Sequence, residues 1–352
     1  MAIALMLGGG APTLTLETGA LAALDSKGVE FDAISTAGAG MVVGLLYAAP
    51  KGKSRQQALA DSKHMGVHDS IYSQFPINFK VFHKPGPMAE LYRNALQAMP
   101  KLPMGTSSPE RFLSDWMALM FSTFSPSDLN SMSQGLCEHA PWIDEVVDFE
   151  KLKSFPGEFF MNAYNVTDHE MEIFDKEQIT PAHFHASLAF PMIYAPYKLN
   201  GKTYIEGSAI DTLCFRGILE YRKKRMEKER KLGPLKHIII FDVLSSKDII
   251  REPKNMYDAW IQSIMIPLVE IAHDDIKMFE NVHLKKWKKN APELRKIKFD
   301  IPKDYWPHVL DWSYSNLETL YDIGYQAGLQ FYKDNKDIFS GGKSKKKKKN
   351  GK

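Results

Sequence analysis

The chain has 352 residues, 44% of them hydrophobic and 25% charged, which is enough to bury a large core and excludes a mainly disordered protein. Its net charge of +3 depends on seven lysines in residues 343–352; subtracting those seven charges leaves −4 on residues 1–342. A mildly acidic body argues against a nucleic-acid partner, because nucleic-acid-binding domains place positive charge on a folded face.

Targeting signals and cysteine content indicate the cellular location of the protein and whether it holds disulfides or zinc. The first apolar run covers only about seven residues, too few for a secretory signal, and no run approaches the ~18–20 apolar residues of a membrane span. Cys137 and Cys214 are far apart and lack C-x-x-C spacing, which favours two buried thiols over a disulfide or a zinc site. We expect a cytoplasmic protein, soluble or peripheral to a membrane, without metal or cofactor.

The first fifty residues contain two strand patterns, each followed by glycines and a helix pattern. An apolar strand at 3–7 leads into Gly8, Gly9 and Gly10, and a second strand at 31–35 leads into a turn at 36–40 and a small-residue helix. Strand, sharp turn and helix are the frame on which serine hydrolases mount a nucleophile at the centre of G-x-S-x-G. The residue at that centre is Gly38, so the frame lacks its hydroxyl.

Residues 51–155 interrupt this alternation. They are rich in methionine, aromatic residues and proline, with an amphipathic helix pattern at 89–99 and an apolar helix pattern that begins near Arg111. Such side chains make an adaptable lining, which favours a lid or an acyl pocket. The alternative is that the same side chains only pack the core of a cap subdomain.

The strand and helix alternation resumes after the insertion. Apolar strands are predicted at 159–166 and 237–243, and helices at 212–231, 256–286 and 314–332. Continuous apolar strands alternating with helices predict an α/β sheet that is buried on both faces.

Several of these segments resemble the patatin-like phospholipases. The family elbow reads G-T-S-x-G, and the spacings from Phe31 and from Tyr47 both place its serine at Gly38. The glycines at 8–10 resemble the family's oxyanion loop. Residues 186–191 resemble its A-S-x-A-x-P turn, and residues 206–208 resemble the D-G-G that supplies the catalytic aspartate.

This resemblance covers roughly residues 1–50 and 155–245. It implies a three-layer patatin-like α/β fold, with a mostly parallel central sheet, helices on both faces and a helical insertion. We expect a single patatin-like domain over residues 1–340, with residues 51–155 as its lid or cap. Residues 341–352 are expected to form a flexible lysine-rich tail.

The resemblance also implies a set of site residues in which both catalytic positions are changed. The nucleophile position is Gly38, where serine is absent, and the base position holds Glu206. The implied oxyanion donors are Gly8, Gly9, Gly10 and Ala39, and the further cleft candidates are Thr36, His185 and Ser208. His183 and His185 lack a third ligand at a recognisable spacing, so no metal site is expected.

These changes leave the function open. The implied ligand is a fatty-acyl or lipid group, bound either by a pseudo-hydrolase or by an enzyme in which Glu206 activates water against an acyl ester or thioester. The alternatives are an active acyl hydrolase with a non-standard nucleophile and a membrane-associated scaffold with a vestigial cleft. Glu206 itself can also be read as a hairpin-end carboxylate without a role. The lysines from Lys343 to Lys352 indicate an anionic membrane surface as a partner.

Overall fold

The computed structural model describes residues 2–11, 13–98, 108–228, 235–241, 243–244, 249–302, 305 and 311–340. In chain order the strands within these residues are β1 (Ala2–Leu7), β2 (Ala33–Thr36), β3 (Gly135–Cys137), β4 (Glu158–Asn165), β5 (Glu170–Asp175), β6 (Met192–Tyr194), β7 (Tyr197–Leu199), β8 (Lys202–Glu206), β9 (Leu235–Phe241) and β10 (Glu293–Ile297).

The helices range from single turns to a helix of 23 residues. In chain order they are α1 (Leu14–Ser26), α2 (Gly40–Ala48), α3 (Arg55–Asp61), α4 (Asp69–Tyr72), α5 (Pro87–Ala98), α6 (Ser108–Phe124), α7 (Ile143–Val146), α8 (Phe149–Lys153), α9 (Pro181–Ser187), α10 (Phe215–Lys228), α11 (Met256–Met278), α12 (Lys285–Trp287), α13 (Tyr314–Asp334) and α14 (Lys336–Ser340).

The central sheet has the order β10-β9-β1-β2-β4-β8-β7, and β5 also pairs with β4. The four pairings from β10 to β4 are parallel, whereas β5, β7 and β8 join antiparallel. Parallel neighbours require crossover connections, and helices supply them. The predicted α/β fold with a mostly parallel central sheet is confirmed.

Both faces of this sheet are buried. Along β1, Leu5 and Leu7 pack with α1 and α2 in one hydrophobic cluster, whereas Ala4 and Met6 pack with α10 and the end of α11 in another. This alternation follows from the two-residue period of a strand. Helices therefore cover the sheet on both sides, as the continuous apolar strands predicted.

The segment 51–155 leaves and rejoins the sheet body at neighbouring points. A β-bridge pairs Pro50 with Val147, and the Lys51 amide donates to the Val146 carbonyl at 3.0 Å. Between these points the described chain is mainly helical, with α3 to α7 and the short strand β3. We call residues 51–155 the insertion.

The carboxyl-terminal tail at 341–352 lies outside the described residues, as does Asp242 of the predicted strand at 237–243. The predicted long helix at 256–286 is observed as α11 followed by a π-helical segment, Phe279–Leu284, and by α12. Within the described part of the chain, every helix is too short or too polar to cross a bilayer.

Candidate active site

The turn after β2 is a tight elbow that begins the next helix at once. The Ala37 amide donates to the Leu7 carbonyl of β1 at 3.0 Å, and α2 starts at Gly40. Gly38, at the apex, has φ +53°. This left-handed conformation costs an L-residue about 1–2 kcal/mol and costs glycine little.

Glu206 reaches the elbow because β2 and β8 share one edge of β4. β5 pairs along the other edge of β4, so β2 and β8 follow one another along the free edge. Thr36, the last residue of β2, is opposite Met161, and Glu206, the last residue of β8, is opposite Ala163. β8 runs antiparallel to β4, so its carboxyl end faces the carboxyl end of β2.

The side chains of Glu206 and Ser208 fill the space above Gly38. A Cβ atom placed on Gly38 lies 2.9 Å from Ser208 Oγ and 3.0 Å from Glu206 Oε1. The Ser208 hydroxyl donates a hydrogen bond to Glu206 Oε1. Burial raises the pKa of Glu206 to about 7, and the bond from Ser208 opposes this shift. The carboxyl group therefore titrates near neutral pH.

A cavity of about 720 Å³ opens above these residues. Its polar floor includes Gly9, Gly10, Ala39, Glu206, Ser208 and Thr212. Its apolar walls come from the insertion, with Phe79, Val81, Leu119 and Trp142, and from α11, with Trp260, Ile264 and Leu268. Polar side chains of the insertion, among them His83 and Lys84, also line it. A large, mostly apolar cavity with a few polar groups has the form and size of a ligand site.

Three of the expected site residues lie elsewhere. Gly8 packs against the Thr212 carbonyl, where an added Cβ would lie 2.3 Å from the oxygen. Thr36 is fully buried and donates to the Phe160 carbonyl at 2.8 Å. Among the described residues, neither these two nor His185 line the cavity. The interpretation of Thr36 and His185 as cleft residues is therefore not supported.

His185 lies in an aromatic cluster, with ring centroids 6.1 Å from His139 and 5.6 Å from Tyr197. Burial lowers its pKa to about 4, so its ring is neutral near pH 7. His183 turns elsewhere, with Nδ1 2.8 Å from the Thr180 hydroxyl. The two histidines therefore belong to different surroundings.

The glycine loop is oriented differently from the expected oxyanion hole. The Ala39 amide donates to the Gly9 carbonyl at 3.2 Å, and the same oxygen lies 3.0 Å from the Cβ position of Gly38. In a trans peptide the N–H of Gly10 points opposite to the Gly9 C=O. The loop thus turns a carbonyl toward the elbow, and the Ala39 amide is already engaged.

The sequence interpretation missed the contribution of α11 to the cavity. Trp260, Ile261, Ile264, Met265 and Leu268 recur at helical spacing, and a count of that period would have identified the stripe. His83, within the insertion, also lines the cavity, and burial lowers its pKa to about 4. A lone histidine outside any motif gave no signal.

A comparison with known protein families identifies the family of the chain. The family model of patatin-like phospholipases matches residues 5–217, from β1 through the elbow and Glu206 to the start of α10. The chain belongs to the patatin-like phospholipase family. This patatin-like protein is thereby related to lipid acyl hydrolases. No curated protein sequence matches it.

One solved structure similar to this patatin-like protein is VipD from Legionella pneumophila. The two chains are 14% identical and superpose with a TM-score of 0.40. The alignment covers 95% of this chain and 66% of the VipD chain.

A cluster of carboxylates on the β4–β5 hairpin is an ion-pair network with a lysine of β8. Asp168, Glu170 and Glu172 bring oxygen atoms within 4.8 Å of one another. The Lys202 ammonium group lies 2.9 Å from Asp168 and 2.9 Å from Glu172. The lysine supplies the positive charge that such a cluster requires.

Proposed function

We propose that this protein binds a fatty-acyl or lipid group in the cavity and cleaves an acyl ester or thioester with Glu206 as general base. The observation that supports this is the position of Glu206, whose carboxyl group has a pKa of about 7 and lies on the polar floor of the cavity beside the elbow. A general base is most effective when its pKa lies near the operating pH.

The apolar walls supply the binding energy for an acyl chain. Each methylene that moves from water into such a lining contributes about 0.8 kcal/mol. We expect affinity to rise with chain length until the cavity is filled. The polar floor then holds the carboxyl-derived end of the ligand next to Glu206.

Turnover is tested by Glu206→Gln, which keeps the shape of the side chain and cannot accept a proton. The matched control is Glu177→Gln on the exposed turn after β5. Wild-type protein and both variants are incubated with a panel of acyl-CoA thioesters and p-nitrophenyl esters, and products are followed by thiol or phenol release and by mass spectrometry. Glu206→Gln should abolish turnover and leave affinity within a few fold, whereas Glu177→Gln should match the wild type.

Undiminished turnover in Glu206→Gln would exclude Glu206 as the base. If the wild type and all variants are stabilised by acyl ligands without product formation, the protein is a pseudo-hydrolase that retains binding.

Binding is tested separately by filling the cavity from α11. Ile264 lines the cavity, whereas Ile266, two residues away, is 44% exposed and lies outside it. Ile264→Trp should weaken fatty-acid binding at least tenfold in a thermal-shift titration, and Ile266→Trp should leave it unchanged. Equal affinities in both variants would favour a vestigial cleft.

The oxyanion donors are proposed to form by rotation of the Gly9–Gly10 peptide plane. Both flanking residues are glycines, so the rotation meets little steric resistance. An added Cβ on Gly10 has no atom within 4 Å in this conformation. Gly10→Ala should therefore fold normally and lower kcat with KM unchanged, because it restricts the rotation alone. An unchanged kcat would remove this peptide from the mechanism.

Membrane association through the tail remains a proposal, since Lys343 to Lys352 lie outside the described residues. Lysines near an anionic bilayer contribute up to about 1 kcal/mol each before salt screening. The full chain should sediment with phosphatidylglycerol vesicles at low salt more than a 1–342 truncation. Equal sedimentation of the two forms would show that the tail has no such role.

A further inference from the structure

We propose that Ser208 supplies the nucleophilic hydroxyl that is absent at Gly38. This inference rests on the proposed acyl cleavage with Glu206 as base, and it deepens that proposal by naming the attacking atom. The sequence alone predicts Ser208 only as a cleft residue, because its position corresponds to a glycine in the family motif.

The position of Ser208 carries the argument. Its Oγ lies 2.9 Å from the point that the Cβ of a side chain at position 38 would occupy. The hydroxyl therefore stands beside the elbow, in the volume that an elbow side chain would otherwise enter. Any side chain at position 38 would displace it, which accounts for a glycine at the apex.

The contact of Ser208 with Glu206 gives the hydroxyl its base. The Ser208 O–H donates to Glu206 Oε1, and both residues line the cavity. A nucleophile within hydrogen-bond reach of a base is the signature of covalent catalysis by serine. The short turn Gly207–Ala209 after β8 holds the two side chains on one segment of chain.

Other hydroxyls at the elbow are already used. Ser35 Oγ donates to the Cys214 carbonyl at 2.6 Å, and Thr36 donates to the Phe160 carbonyl. Both side chains are fully buried and absent from the cavity lining. Thr212 also lines the cavity and donates its hydroxyl to Asp275 at 3.1 Å, but it packs against Gly8. Among the described residues, Ser208 is the hydroxyl that combines a carboxylate partner with a position next to Gly38.

The proposed reaction has two steps, acylation of Ser208 and hydrolysis of the acyl-enzyme. Ser208 Oγ attacks the carbonyl carbon of the acyl ester or thioester, its proton passes to the Glu206 carboxylate, and the departing alcohol or thiol takes that proton. The product is an acyl ester on Ser208. Water then attacks this ester, Glu206 accepts a proton from the water and returns it to Ser208 Oγ, and a fatty acid is released.

The experiment traps the covalent adduct and maps it. Wild-type protein, Ser208→Ala and Ser263→Ala are treated with an alkyl fluorophosphonate and, separately, with a p-nitrophenyl acyl ester quenched in acid. Ser263 is the control because it is an exposed serine of α11 that lies outside the cavity lining. Peptide mass spectrometry locates the adduct, and acyl-CoA and ester turnover are measured in parallel.

The expected result is an adduct on Ser208 in the wild type and in Ser263→Ala, and a loss of turnover of about 10³-fold or more in Ser208→Ala. Mapping in the wild type does not depend on the folding of Ser208→Ala.

Turnover that persists in Ser208→Ala without an adduct on wild-type Ser208 would overturn the inference and leave Glu206 acting on water. An adduct on another residue would overturn it as well. An adduct on Ser208 without turnover supports the nucleophile and contradicts the proposed hydrolysis. If neither an adduct on Ser208 nor turnover is found, both the proposed nucleophile and the proposed hydrolysis are contradicted.

Discussion

The sheet body and the insertion contribute to the same cavity but differ in how they bury apolar side chains. Every residue of β1 is buried, whereas the insertion exposes large apolar side chains such as Phe124 and Met132. Its own clusters are small, one of them formed by Val67, Ile71, Phe79 and Leu119. The body therefore supplies a fixed polar floor, and the insertion supplies an apolar wall with less packing behind it.

This difference in burial indicates which part of the site is expected to be rigid. Local stability follows the density of buried apolar contacts. Glu206 and Ser208 are both buried, and Glu206 pairs with Ala163 of β4, so their geometry should hold in the absence of ligand. The insertion leaves more of its large apolar side chains exposed, so its wall should adapt to the ligand.

The sharpest way to break the comparison is to remove one large apolar side chain from each region. Phe159 of β4 is fully buried, and Met132 of the insertion is 84% exposed. Phe159→Ala should lower the free energy of unfolding by about 3–5 kcal/mol, because it leaves a cavity in the core. Met132→Ala should change it by about 0.5 kcal/mol or less. Urea unfolding of both variants measures the two changes in the free energy of unfolding. Similar losses in the two variants would contradict the difference in packing between the regions.

The second prediction concerns the stability of the floor as a function of pH. Burial raises the pKa of Glu206 from its ordinary 4.5 to about 7 in the folded state. The folded state therefore favours the protonated form, so stability from this group is complete below about pH 4.5, falls as pH rises and levels off above about pH 7. Relative to Glu206→Gln, the wild type should lose about 3 kcal/mol of unfolding free energy across that window.

Unfolding free energies of wild type and Glu206→Gln, measured at intervals from pH 4 to pH 8, test this. A constant difference between the two proteins would mean that Glu206 has an ordinary pKa.

The third prediction compares two glycines with positive φ. Gly38 of the body has φ +53° and close neighbours, whereas Gly52 of the insertion has φ +66° and open space around its Cβ position. Alanine at either position costs about 1–2 kcal/mol for the backbone. At Gly38 overpacking against Ser208, Glu206 and Gly9 adds about 1–3 kcal/mol. Equal thermal destabilisation of Gly38→Ala and Gly52→Ala would show that the residues around Gly38 move aside at little energetic cost.

Much of the body could be predicted from the sequence because its signals are local. Continuous apolar runs predicted the strands β1, β4 and β9. The motif spacings predicted the turn at Gly38 and indicated Glu206 as the carboxylate beside it. The family match over residues 5–217 confirms the fold behind those motifs.

The rest depends on the conformation of turns and on contacts between distant segments. The bond between the Ala39 amide and the Gly9 carbonyl joins two turns and is set by the packing of β1 against β2. The contact of Ser208 with Glu206 depends on the conformation of a three-residue turn. The contribution of α11 to the cavity lining depends on how the helix packs against the sheet. None of these follows from a periodicity within one segment.

The junction of the insertion has an evolutionary consequence. Within the insertion, residues 51–146 begin and end at the bridge between Pro50 and Val147, which is supported by the Asp148 amide donating to the Ala49 carbonyl at 2.9 Å. A segment whose ends are adjacent can be lengthened, shortened or replaced at low entropic cost, since closure entropy grows only with the logarithm of length. Recombination at this junction can therefore change the apolar lining of the cavity while it leaves Glu206 and Ser208 in place.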